Sequence, residues 1–217
     1  MEVDVQTLGV DLLTVVGHKF GAPKGVAALY MREGTDRDVA LNPFLFGGGQ
    51  EGGRRAGTEN VLLIVGLGEA ARLALSERLA LSAHMLALKR QLTDGLEALR
   101  AAGHEVCFNG PAVAGLSAAE SVLLQLPNTV SVSFSGHRAY ELIPLIADSV
   151  ACSAGSACHT GAAAGGSISP VLAAMGVSIP QALGTLRVSV GRHTTATDVE
   201  KTVAAIERGL DALNKAR

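Results

Sequence analysis

The chain has 217 residues, enough for one large domain or two small ones with a buried core. Apolar residues make up 48% of it and aromatic ones 3%, with no tryptophan, a composition that fits an α/β protein better than an aromatic-rich binding surface. The net charge is −2 and no stretch concentrates lysine and arginine, so nucleic acid is not an expected partner. Cys107, Cys152 and Cys158 are an odd number and form no C-x-x-C pair, which argues against a disulfide framework and against a structural metal site. No apolar run reaches the roughly 18 residues of a membrane span. Met1-Glu2-Val3-Asp4 has neither the basic region nor the apolar core of a signal peptide, and a reducing cytoplasm is the expected compartment.

Val10 to Val16 and Gly25 to Met31 are short apolar runs that read as strands. The segment between them, Gly17-His18-Lys19-Phe20-Gly21-Ala22-Pro23-Lys24, is too dense in breakers for a helix or a strand interior and reads as a functional loop. A glycine turn at Gly47-Gly48-Gly49-Gln50 leads into a basic loop from Gly52 to Asn60. From Glu59 to Ala102 leucine and alanine recur at three- and four-residue spacing, which predicts one long helix stopped by Gly103. Such a length suggests a bridge between two domains or a kink, with Gly66 and Gly68 as the kink sites. Further on, His104 to Asn109, Thr129 to Ser135 and Leu186 to Val190 read as strands, and Ala139 to Asp148 and Ala196 to Ala216 as helices. Strands interleaved with helices predict a small α/β or α+β domain. The stretch Ser153 to Ser169 is built of small residues and reads as a loop carrying Cys158.

Four places could carry chemistry. Lys19, held in a turn after a strand, is placed to act as a nucleophilic amine if burial frees its lone pair; the competing reading is a surface lysine at a strand end. Cys158, beside His159, is either a reactive thiol or a small hydrophobe in a turn, whereas Cys107 reads as core. Arg187 interrupts an apolar strand, and its planar fork suits a carboxylate unless it simply faces water. Arg55, Gly57 and Thr58, with the glycine amides and the following helix N-terminus, form a candidate phosphate cradle. The histidines show no metal-ligand spacing.

The order of these segments is more specific than any one of them. Val16-Gly17-His18-Lys19-Phe20, Gly47-Gly48-Gly49-Gln50-Glu51, Arg55-Ala56-Gly57-Thr58-Glu59-Asn60, Leu126-Pro127-Asn128-Thr129, Ser153-Ala154-Gly155-Ser156-Ala157-Cys158 and Leu186-Arg187-Val188-Ser189-Val190-Gly191-Arg192 together resemble the cysteine desulfurases. Val16, where a serine is often found, and Ser169-Pro170-Val171-Leu172 after Cys158-His159 resemble the selenocysteine lyases. Both belong to the class-V, fold-type I enzymes that use pyridoxal 5'-phosphate.

The resemblance implies an α/β fold: the C-terminal part of a fold-type I large domain over residues 1–72, then a linking helix and small C-terminal α/β domain over 73–217. It implies that Lys19 carries the cofactor as a Schiff base and moves the substrate's α-proton, that His18 lies by the cofactor phosphate, and that Thr58 reaches the phosphate held by the partner subunit of a homodimer. Arg187 would clamp the substrate carboxylate, and Cys158 would take the sulfur of L-cysteine, or assist at selenium, as a persulfide, releasing L-alanine. A sulfur-acceptor protein, as in iron-sulfur cluster assembly, is an implied partner. In the family, a histidine stacked on the cofactor ring and an aspartate paired with its pyridine nitrogen precede the Schiff-base lysine. This chain opens 18 residues before Lys19, so the expectation is an N-terminally truncated member. The alternative is a catalytically inactive remnant serving as a dimerising or partner-binding module. An aminotransferase of the same fold has no need of a loop cysteine.

Overall fold

In the computed structural model the described residues are 3–33, 41–111, 115, 117, 120, 124–154 and 168–216. The chain divides into two compact units, Met1–Leu79 and Ala80–Arg217.

The first unit begins with a one-turn helix, α1 (Val5–Leu8). The Asp4 carboxylate accepts the Gln6 amide at 2.7 Å, and Gly9 closes the turn at φ 64°, a left-handed conformation that glycine adopts without penalty. Strands β1 (Leu12–Val16) and β2 (Ala27–Met31) pair antiparallel, with Leu12 opposite Met31 and Val16 opposite Ala27. The connecting segment is tighter than its glycine content suggests. Gly17–Lys19 forms a single 3-10 turn, anchored by Gly17 N–H donating to the Val26 carbonyl at 3.1 Å.

Helix α2 (Val61–Ala98) is continuous over 38 residues, so neither Gly66 nor Gly68 breaks it. Gly66 serves close packing instead: a Cβ there would lie 3.0 Å from Pro23 Cδ. Among the described residues of the first unit, the buried hydrophobics are Ala22, Ala56 and Ala70, while Phe44, Phe46, Leu62 and Leu75 are exposed, Phe44 at 92%.

The second unit holds the main core. Strands β3 (Val106–Phe108), β4 (Thr129–Phe134) and β5 (Thr185–Ser189) form an antiparallel sheet in that order. Its apolar face, with Val130, Val132, Phe134, Leu186 and Val188, packs with Leu92, Leu96 and Leu99 of α2. Helices α3 (Ala139–Ile146) and α6 (Ala196–Lys215) complete the core through Leu142, Ile146, Val199, Ile206 and Leu210. Two short helices, α4 (Pro170–Ala174) and α5 (Ile179–Leu183), each start with a proline in the first turn and escape the periodicity signal because they are so short.

Helix α6 opens with a capping box. The Thr195 hydroxyl accepts the Asp198 amide at 3.2 Å, while the Asp198 carboxylate accepts the Thr195 amide at 2.9 Å. No helix among the described residues is long and apolar enough to cross a membrane.

Candidate active site

The Gly17–Lys19 turn is fixed by steric exclusion. Gly17 is buried, and a Cβ there would meet Ala22 Cβ at 2.9 Å, Leu67 Cδ1 at 3.1 Å and Val26 Cγ1 at 3.2 Å. Only glycine lets the turn pass this close to α2, and that passage determines where His18 and Lys19 emerge. Both side chains are exposed, and neither has a hydrogen-bond or ion-pair partner among the described residues. The burial expected to activate the Lys19 amine is therefore not supplied by the described residues.

The glycine-rich loop beyond β2 is organised by its own contacts. Ala56 N–H donates to the Leu45 carbonyl at 3.2 Å, Gln50 and Gly52 flank Glu51 in its left-handed conformation (φ 52°), and Gly57 N–H donates to Gln50 Oε1 at 3.3 Å. Arg55 Nη1 donates to the Gly57 carbonyl at 3.3 Å, and the Leu63 amide at the start of α2 is taken by Asn60 Oδ1 at 3.2 Å. Of the expected phosphate cradle, the Gly57 amide and one helix-terminal amide are taken up internally, while Arg55 commits a single N–H to the Gly57 carbonyl. Thr58 is exposed, with no partner among the described residues for its hydroxyl.

In the second unit, strand alternation puts Arg187 on the face of the sheet opposite the core. The guanidinium is exposed and has no hydrogen-bond or ion-pair partner among the described residues. The backbone of the same residue is bonded both ways to Ser153: Arg187 N–H donates to the Ser153 carbonyl at 2.6 Å and Ser153 N–H to the Arg187 carbonyl at 3.3 Å. The chain leading to Cys158 thus departs from the strand that carries Arg187. Cys158 itself lies outside the described residues.

The two other cysteines differ from one another. Cys152 is half-buried against the core, and burial pushes its thiol up from the ordinary value. Cys107 is not a core residue as its strand suggested; it pairs with Ser133 on the face shared with Arg187.

That face is the feature the sequence reading missed. Thr129, Ser131 and Ser133 on β4 alternate with its core residues, and Thr185, Arg187 and Ser189 do the same on β5. Asn109 and Gln181 border it through side-chain hydrogen bonds. The period-two run of hydroxyls was present in the sequence, but only its apolar half was read. Lys89 was missed as well: it is 9% exposed and donates to Gln125 Oε1 at 2.7 Å and to the Leu126 carbonyl at 2.8 Å. It fixes the turn into Leu126-Pro127-Asn128-Thr129 from within α2.

The sequence model of the aminotransferase class-V family matches residues 1–202. The chain belongs to that family. Among curated relatives of this class-V chain, the selenocysteine lyase of Homo sapiens is 40% identical over 97% of this chain and 45% of its own length. The cysteine desulfurase IscS of Dictyoglomus turgidum is 36% identical over 97% of this chain and 49% of its own. A solved NifS-like protein superposes with a TM-score of 0.75 at 32% identity, covering 95% of this chain and 48% of that one. The NifS-like protein from Rickettsia africae gives 0.74 at 28% identity, covering 96% and 50%. The α/β fold is that of these NifS-like structures, and the chain spans about half the length of the curated relatives it matches. Selenocysteine lyases and cysteine desulfurases of this family are pyridoxal-phosphate-dependent enzymes.

The residues of this chain fit one part of such a cofactor site. Lys19, His18 and Thr58 offer an amine, an imidazole and a hydroxyl with no competing protein partner among the described residues.

Proposed function

We propose that this chain contributes the lysine, thiol and carboxylate-binding part of a pyridoxal-phosphate enzyme that removes sulfur from L-cysteine or selenium from L-selenocysteine, leaving L-alanine. The observation that carries the reading is the two-way backbone pairing of Arg187, whose guanidinium has no partner among the described residues, with Ser153, five residues before Cys158 in the sequence. An arginine fork for the substrate carboxylate and a thiol on a tether of five residues suit a reaction at the substrate's β-substituent.

When bound, the cofactor withdraws electrons from the substrate's α-carbon. The roles left to this chain are positional and acid–base. Lys19 holds the cofactor and carries the α-proton, His18 and Thr58 support its phosphate, and Arg187 fixes the carboxylate. The Cys158 thiolate would attack the substrate sulfur, the S–S bond of the persulfide forming as the Cβ–S bond breaks and leaves its electron pair on the carbon that is protonated to the methyl of alanine; an acceptor protein would then receive the outer sulfur. Thr58 acts across a homodimer interface in this proposal, and the cytoplasm is its compartment. The exposed Phe44, Phe46, Leu62 and Leu75 support a chain whose first unit is covered by further polypeptide in the working enzyme.

The test measures alanine, sulfide and selenide formed from both amino acids. It uses the chain alone, the chain fused behind the preceding half of a full-length relative, and the fusion with Cys158→Ala or Lys19→Ala. Turnover by the fusion that is lost with Lys19→Ala, with cysteine turnover also lost in Cys158→Ala, supports the proposal. A fusion inert toward both substrates turns the reading toward a non-catalytic dimerising module.

A further inference from the structure

Following the hydroxyl protons of the network between α5, β4 and β5 leaves one of them over. Thr185 Oγ1 donates to the Gln181 carbonyl at 3.3 Å, closing the α5–β5 turn. Its oxygen then accepts from the Ser133 hydroxyl, 2.8 Å away. Gln181 Nε2 donates to Asn109 Oδ1 at 3.1 Å, which fixes the orientation of that amide and turns its NH₂ toward β4. Asn109 Nδ2 has two protons, and Ser133 Oγ at 2.9 Å and Ser131 Oγ at 3.2 Å receive them. Among the hydroxyls of this network, every proton is placed except one. Ser131 accepts from Asn109, and its own hydroxyl proton has no acceptor among the described residues.

Ser131 is directly opposite Arg187 in the β4–β5 register, on the same face. Opposed residues on one face of an antiparallel pair have Cβ atoms about 4.5–5.5 Å apart. A directed chain of hydrogen bonds therefore ends in a free O–H beside a free guanidinium. Both are donors, an arrangement that suits a ligand with two acceptor oxygens such as a carboxylate.

We infer that Ser131 is a second contact for the substrate carboxylate, donating its hydroxyl proton to the oxygen that Arg187 leaves, and that Asn109 is the residue that positions it. This rests on the reading of Arg187 as the carboxylate clamp. Asn109 touches no substrate atom; it occupies the acceptor side of Ser131 so that the proton points outward. The buried end of the chain at Ser133 and Thr185 holds the arrangement rigid, as both side chains are almost fully enclosed.

The test uses the 217-residue chain and L-alanine as probe, followed by amide and arginine Nε–H NMR shifts of Ser131 and Arg187. Ethylamine, which lacks the carboxylate, is the control. Saturable shifts are expected with L-alanine and none with ethylamine. Ser131→Ala should weaken binding about tenfold or more, the range of a single hydrogen bond to a charged group. Ser131→Thr, which keeps the hydroxyl, should bind within about twofold of wild type, and Asn109→Ala should fall between the two. In the fusion that turns over cysteine, Ser131→Ala should raise KM with kcat nearly unchanged. If Arg187→Ala loses binding while Ser131→Ala binds as wild type does, the inference is overturned and the clamp stands. If wild type gives no saturable shift, or Arg187→Ala binds unchanged, the clamp reading itself falls.

Discussion

Gly184 joins α5 to β5 and so determines where Arg187 begins its strand. Its φ of −90° is open to any residue, so the reason for glycine there is space alone. A Cβ at this position would overlap the Phe134 carbonyl oxygen and lie 2.8 Å from that of His137. Both obstacles are backbone atoms and cannot rotate away. Forcing a methyl into so tight a site costs about 1–3 kcal/mol. Separating the strands also weakens the Phe134 N–H to Gly184 carbonyl bond, 3.1 Å in the wild type, for about 0.5–1.5 kcal/mol more. Gly184→Ala should therefore destabilise the second unit by about 2–4 kcal/mol and lower its melting temperature by roughly 10 °C. Gly191→Ala is the control: nothing lies within 4 Å of its Cβ position, and its stability should stay within about 0.5 kcal/mol of wild type. Urea unfolding followed by circular dichroism measures both. Equal midpoints for the two variants would refute the steric account of this junction.

Two pH effects follow from other contacts. Burial holds Lys89 below its ordinary value of 10.5, so at alkaline pH the folded chain gives up this proton before the unfolded chain does. Stability should then rise with pH through the interval that ends near 10.5, and Lys89→Met, which keeps the apolar stem, should flatten that rise in urea midpoints taken across it. Asp198 is held below the usual aspartate range by hydrogen bonds from the Thr195 hydroxyl and amide. Its contribution is present above the ordinary aspartate value and is lost as pH falls through the folded one, so Thr195→Ala should make the acid-side loss of stability shallower in a helix-unfolding titration.

Long-period features were legible from the residues. The 38-residue α2 and the 20-residue α6 have enough turns for leucine spacing to declare them, and β4 shows its alternation across six residues. The five-residue helices α4 and α5 complete barely one turn, too little for any periodicity to emerge. Gly17 to Lys19 read as a loop because glycine density signals a break, whereas the observed 3-10 turn comes from a packing contact with α2 that no local window contains. The same limit applies to the site. Arg187 stood out because it interrupts apolar residues, but Ser131 and Asn109 acquire meaning only through pairing across strands. At Arg55 to Thr58, a composition of glycine and arginine does not reveal that Gln50 and Asn60 take up two of the amides there.

The most direct test of the account is to find which lysine holds the cofactor. The chain, fused behind the preceding half of a full-length relative, is incubated with pyridoxal phosphate, reduced with borohydride and mapped by peptide mass spectrometry. The account predicts a single pyridoxyl label on Lys19, only weak labelling of the 217-residue chain by itself, and no site-specific label in Lys19→Ala. A dominant label on Lys24 or Lys89, with cysteine turnover intact in Lys19→Ala, would contradict it.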